Sequence, residues 1–203
     1  MTAILTGDII NSRKRGSALW IDGLKVLLAQ YGQTPADWEI FRGDQFQLEI
    51  RNPEQALLIA LEIKAYLKTL KLDARISIGI GDKTYTAANI SESNGSAFVR
   101  SGEYFDTLKK QKLTLAVNTG NSTVDAELNL MLQLALTFLN SWLPQSAEFF
   151  LVAIKNPELS QEELGAKLGI NQAAVSRRRK RAQYDLLLEL NQYYRSKIKK
   201  AIA

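Results

Sequence analysis

Between Leu159 and Ala182 the chain reads LSQEELGAKLGINQAAVSRRRKRA, and the stop and start signals in it allow little besides two short helices joined by a tight turn. Ser160 followed by Glu163 makes a capping box, in which each side chain satisfies a free backbone N–H of the other residue, so a helix starts near Gln161. Leu164 and Leu168 share one face of it, Gly169 ends it in a left-handed turn, Ile170 plugs the angle, and Asn171 caps a second helix. In that second helix Val175 points back to the first, whereas Gln172, Ala173, Ser176, Arg177 and Lys180 share the outward face.

An outward face of this composition is suited to a DNA major groove. Gln matches the donor and acceptor edge of adenine, Arg that of guanine, and Ala173 offers a methyl contact to thymine. Arg178, Arg179 and Arg181 are expected to be free to reach phosphates. The pattern resembles the helix-turn-helix of many bacterial regulators, with Gly165 standing where such motifs usually carry Ala. The plainer alternative is that RRRKR is a solvated face on an ordinary helical hairpin, which serves protein contacts.

Charge favours the DNA reading through its placement more than its amount. The formal net charge is only +5, yet residues 177 to 200 hold nine Lys or Arg against Asp185 and Glu189 alone. The chain contains neither Cys nor His, which removes disulfides, thiol chemistry, the usual zinc ligands and the commonest general base. Any catalysis would have to use carboxylates, Lys, Tyr, Ser or Thr with Mg²⁺. No stretch approaches the ~20 apolar residues of a membrane span, and no basic leader precedes Asp8, so the expected location is the cytoplasm without a membrane partner.

Upstream, the hydrophobic period changes several times. Strands are expected at residues 3–10, 38–41, 46–50, 74–80 and 113–117, and helices at 17–31, from Pro53 onward, and at 97–110. The order βαββαβ with a further αβ predicts an α+β fold, ferredoxin-like or palm-like, whose antiparallel sheet is covered by helices on one side. After residue 120 the strands stop. Helices are expected at 124–143 and 144–155, giving an α+β domain over 1–120 and an all-α helix-turn-helix domain over 121–203. From Asn171 to about Lys199 no breaker occurs, so a single final helix of roughly 40 Å is predicted. Leu186, Leu187, Leu188, Leu190, Tyr193 and Tyr194 on it either pack on residues 124–143 or form a dimer contact.

Asp8 at the end of the first strand and Asp44 in the turn of the next hairpin are the candidate chemistry of this half. If their strands are neighbours, the two carboxylates converge and can hold Mg²⁺, which in turn binds phosphates. Arg42 and Arg100 are candidate contacts to the phosphates of a nucleotide, with Lys83 and Tyr85 behind them. The alternatives are structural: Gly43-Asp44 is a favoured hairpin turn, Asp8 caps the loop after it, and the arginines make surface ion pairs.

TGDIINSR, FRGDQFQ, RISIGIG and NGSAFVRSG, in that order and at these distances, resemble the SatD family of bacterial proteins. More remotely they resemble the palm domains of class III nucleotidyl cyclases and GGDEF diguanylate cyclases. The SatD resemblance continues into the C-terminal part, where a Trp and then Pro144-Gln145 precede the helix-turn-helix. It implies a palm fold, a metal role for Asp8 and Asp44, and the Ile9 carbonyl as a further metal contact. Activity is not implied: Gln45 stands where GGDEF enzymes have a second acid, and alignment on Gly95 puts Val99 and Glu103 where cyclases have Asn and Arg. The expectation is a DNA-binding regulator, dimeric on a two-fold site of double-stranded DNA, whose palm senses a nucleotide or mediates assembly without turnover. A Mg²⁺-dependent nucleotidyl cyclase or nucleotidyltransferase is the rival.

Overall fold

The computed structural model describes residues 1–12, 16 and 18–202, with only the backbone at 18 and 202. Its element order is β1 (Thr2–Ile10), α1 (Ala18–Leu28), β2 (Trp38–Phe41), β3 (Gln45–Ile50), α2 (Ala56–Thr69), β4 (Asp73–Gly81), α3 (Ser96–Gln111), β5 (Leu115–Asn118), then α4 (Ser122–Leu139), α5 (Pro144–Lys155), α6 (Gln161–Leu168), α7 (Gln172–Ala182) and α8 (Tyr184–Ile202). Residue 17, the expected start of the first helix, and residues 13–15 of the loop before it lie outside the described residues.

The fold is α+β, and its sheet runs β2-β3-β1-β4-β5. Each neighbouring pair among the first four strands is antiparallel, whereas β5 lies parallel to β4. A strand that returns beside its predecessor after one helix must run the same way, so the appended α3-β5 unit makes the sheet mixed rather than antiparallel. The helices are not confined to one side either. Alternation along the strands gives one apolar face, with Leu5 of β1, Leu48 of β3 and Ile78 of β4, which joins the core that α1 and α2 build. α3 crosses the opposite face, where Ile4 meets Ala97 and Phe98. Gly79 permits that approach: a side chain there would meet the Ala97 carbonyl oxygen at 2.2 Å.

α2 is apolar nearly all round because it is covered on both sides, by the sheet and by α5. Its two buried charges are both paired. Glu62 accepts from the Tyr31 hydroxyl and meets Lys155 Nζ of α5 at 2.8 Å. Lys64 Nζ donates to Asp73 Oδ1 at 2.7 Å and to the Ala74 carbonyl at 2.8 Å. One hydrophobic core thus runs from the sheet through α2 into α4, α5, α7 and α8. At the sheet edge, the Asn129 carboxamide of α4 donates to the Val117 carbonyl and accepts from the Val117 N–H, as a sixth strand would.

The final helix is not continuous. Gln183 adopts a left-handed conformation, φ 50°, and its N–H closes on the carbonyls of Arg179 and Lys180, so α7 ends and α8 sets off in a new direction. Aromatic packing holds the break. Trp142 donates its indole N–H to the Ala182 carbonyl at 3.2 Å, and Tyr184 packs edge-on to Phe149 and Phe150. Beyond the break α8 lies on α4 and on the turn before α2, where the Tyr194 hydroxyl donates to the Pro53 carbonyl. Leu187 and Tyr194 are buried, whereas Leu186 is 51% exposed. Among the described residues no helix is long and apolar enough to cross a membrane.

Candidate nucleic-acid interface

α6 and α7 are joined by caps that use every signal of the sequence. The Ser160 N–H donates to Glu163 Oε2 at 2.7 Å and the Glu163 N–H donates to Ser160 Oγ at 3.3 Å. The backbone N–H of Ser160 also holds the Glu163 carboxyl below its ordinary range. Gly169 turns left-handed at φ 65°, and Asn171 Oδ1 accepts from the Ala174 N–H at 2.9 Å. Leu164 and Val175 are buried between the helices. Gly165 has a steric reason here: a Cβ at that position would come within 2.6 Å of the Ile170 carbonyl oxygen, closer than real contacts allow.

The outward face of α7 carries Gln172, Ala173, Ser176, Arg177, Lys180 and Arg181, all exposed. Two arginines of the run behave differently from the expectation that they stand free. Arg178 Nη1 lies 2.7 Å from Glu148 Oε2 of α5. Arg179 forks onto Asp185, at 2.6 Å through Nη2 and 3.1 Å through Nε, and stacks over the Tyr184 ring at 5.4 Å. The Asp185 hydrogen bonds push the Arg179 guanidinium above its usual range. Helical rotation explains the split, because 178 and 179 turn toward α5 and the bend while 177, 180 and 181 turn away. Arg177, Lys180 and Arg181 make no ion pair among the described residues, so the free charge is three cations and a polar strip.

The structure sets the backbones of Asp8 and Asp44 side by side. Asp8 stands opposite Gln45 on β1, next to Asp44, whose carbonyl accepts the Ile9 N–H at 3.0 Å. Asp8, however, already has a cation supplied by the chain, from the strand on its other side. Arg75 pairs with Asp8 across β1 and β4, and its guanidinium donates to Asp8 Oδ1 at 2.8 Å and to Oδ2 at 2.6 Å. The hydrogen bonds it donates to Asp8, with the fields of Asp8 and Asp44 added, raise the Arg75 guanidinium above its usual range. Asp44 Oδ2 accepts from the Ser12 hydroxyl at 2.7 Å.

This donor set does not fit Mg²⁺. Both Asp8 oxygens are taken by a permanent cation, and among the described residues no group of three or more acidic side chains is placed to hold a metal ion. Arg42 is exposed in the hairpin turn at φ 51°, close in sequence to Asp44. Arg100 is elsewhere. It donates to the Ile80 carbonyl at 2.5 Å and packs on Gly120, beside the end of the sheet where Gly81 pairs with Thr2. Six strand steps lead from Thr2 to Asp8, roughly 20 Å at ~3.3 Å per residue, so Arg42 and Arg100 do not converge on one ligand. Lys83 is paired with Glu49 at 2.7 Å, and Tyr85 is 60% exposed.

Reasoning from sequence missed Arg75, Glu148 and Asp185. The signal for Arg75 was its place in the alternating strand RISIGIG, on the polar face that Asp8 shares. The other two carry none, since nothing local marks which carboxylate an arginine will meet. The chain matches no model of a known protein family and no curated protein.

Proposed function

We propose that this chain is a DNA-binding protein, a transcriptional regulator of the cytoplasm, whose α7 enters a major groove. One observation carries the reading. The residues that suit base edges, Gln172, Ala173, Ser176 and Arg177, are exposed on the same face as the unpaired Lys180 and Arg181, while the other two arginines are half-buried and paired with carboxylates of α5 and α8. A solvated surface helix has no need of such sorting. In this reading α6 crosses the backbone and Asn171 brings the N-terminus of α7 to the bases.

The sheet-bearing half we read as a palm related to the SatD family, a proposal that rests on the four motifs quoted above. The guanidinium of Arg75 on Asp8 favours a binding or assembly role over Mg²⁺-dependent turnover.

The test is fluorescence anisotropy on the preferred duplex, selected from random sequence, and on unselected DNA across a salt series. Arg177→Ala is expected to lose about 1–3 kcal/mol on the preferred duplex and little on unselected DNA. Arg181→Ala is expected to weaken both similarly and to lower the salt slope by about 1, as removal of one phosphate-neutralising cation requires. Equal losses on both duplexes for both variants would remove the groove assignment, and absence of any salt-dependent binding would remove DNA binding itself.

A further inference from the structure

α4 shows solvent a face that a free surface does not have. From Leu128 to Leu143 the sequence LNLMLQLALTFLNSWL contains no charged residue, and Leu130 and Leu134 on it are 61% and 63% exposed. Beside this ridge runs a groove of about 600 Å³ between α4 and α8, lined by Met131, Leu134, Phe138, Leu186, Leu190 and Tyr193. Glu189 is the one charged residue in its lining, and the Glu127–Lys197 pair of α4 and α8 satisfies itself locally. An apolar centre depleted of charge, with polar groups around it, is the composition of an interface core.

We propose that the α4–α8 face is where a second copy of this chain docks, as an isologous two-fold dimer. Two observations select a second copy over a foreign partner. The face carries a ridge and a groove side by side, so that Leu130 and Leu134 of each protomer can enter the groove of the other, the self-complementarity a two-fold contact requires. The face is also matched in charge to a copy of itself: with no charged residue from Leu128 to Leu143 and Glu189 alone in the groove lining, a two-fold contact brings few like charges together.

The position of the face gives the dimer its use. Leu186 lies four residues past Ala182, the end of α7, so a contact made there fixes the spacing of the two outward faces of α7. That use rests on the DNA-binding reading; the dimer itself does not.

Sedimentation equilibrium of the full chain from 1 to 100 µM tests it, with Leu134→Lys and, as a control on α1, Val26→Lys, whose parent side chain is 67% exposed. Wild type and Val26→Lys are expected at twice 22.7 kDa, and Leu134→Lys near 22.7 kDa with an unchanged circular dichroism spectrum, a loss of dimer affinity of at least 100-fold. Because the chain has no Cys, Leu134→Cys supplies a single thiol, and a short bis-maleimide is expected to join two chains through it. A wild type that stays monomeric at 100 µM overturns the proposal, as does a dimer that Leu134→Lys leaves intact. If the mass behaves as expected but no duplex binds, the DNA reading fails and the dimer stands. If a duplex binds and the mass stays at one chain, the reverse holds.

Discussion

Replacing Asp73 with Asn should be the most damaging conservative change in the protein. Lys64 is 1% exposed, and its ammonium has two partners, Asp73 Oδ1 and the Ala74 carbonyl. Lys68 shares the same carboxylate at 2.9 Å. The amide would leave two cations beside each other with no anion, one of them fully buried, and removing one member of such a pair costs about 3–5 kcal/mol. For a chain of this length each kcal/mol moves the melting temperature by about 2–4 °C, so a fall of about 6–20 °C is expected. Lys64→Met should cost less, below about 2 kcal/mol. It leaves Asp73 with Lys68 and with the Ala74 N–H, and puts an apolar chain among apolar neighbours.

The pH dependence adds a second check. Burial pushes the Asp73 carboxyl up, but Lys64 and Lys68 outweigh it and hold the group below the ordinary carboxylate range. A depressed carboxyl contributes stability above its unfolded pKa of ~3.9, and that contribution is lost as pH falls through the folded value. The gap between wild type and Asp73→Asn, measured by urea unfolding, should therefore be wide at pH 7 and narrow in acid. A cost under about 1 kcal/mol at pH 7, or a gap that does not change with pH, would refute the reasoning.

Gln183→Gly should stabilise the chain by about 0.5–1 kcal/mol, because a left-handed residue with a side chain costs about 1–2 kcal/mol and the extra freedom of unfolded Gly offsets only part of that. A lower melting temperature for the variant would show that Gln183 holds the bend by something other than its backbone. Arg75→Gln removes the cation that occupies both Asp8 oxygens, so 5 mM Mg²⁺ should raise the melting temperature of the variant by about 3 °C and leave wild type where it is. An equal rise in both would mean that Mg²⁺ acts away from these aspartates.

The parts of the fold legible in sequence are those set by local chemistry. Ser160, Glu163, Gly169 and Asn171 determine backbone groups within three residues of themselves, and each stands where its chemistry demands. The order βαββαβ likewise follows from the hydrophobic period. The direction of β5 and the side taken by α3 do not, because they depend on where a segment lands after the first four strands have paired. Strand Leu115–Asn118 shows the same limit. It starts two residues later than the apolar run from Leu113 suggests, since its bounds are set by pairing with β4 and by Asn129 on its outer edge.

The bend at Gln183 and the sorting of the arginines have one origin. No Gly or Pro marks position 183, so the local pattern continues the helix. What stops it is the burial of Tyr184 against Phe149 and Phe150, which a straight helix could not reach while α7 stays packed on α6. Once the chain turns there, Asp185 comes within reach of Arg179, six residues earlier, and the pair braces the bend. Arg178 meanwhile ties α7 to Glu148 on α5. Two of five neighbouring cations are thereby paired with carboxylates beside the helix, and the remaining three are left without an ion pair among the described residues. Spacing alone identifies the outward face. How many charges it presents is decided by an aromatic cluster that begins forty residues upstream, at Trp142.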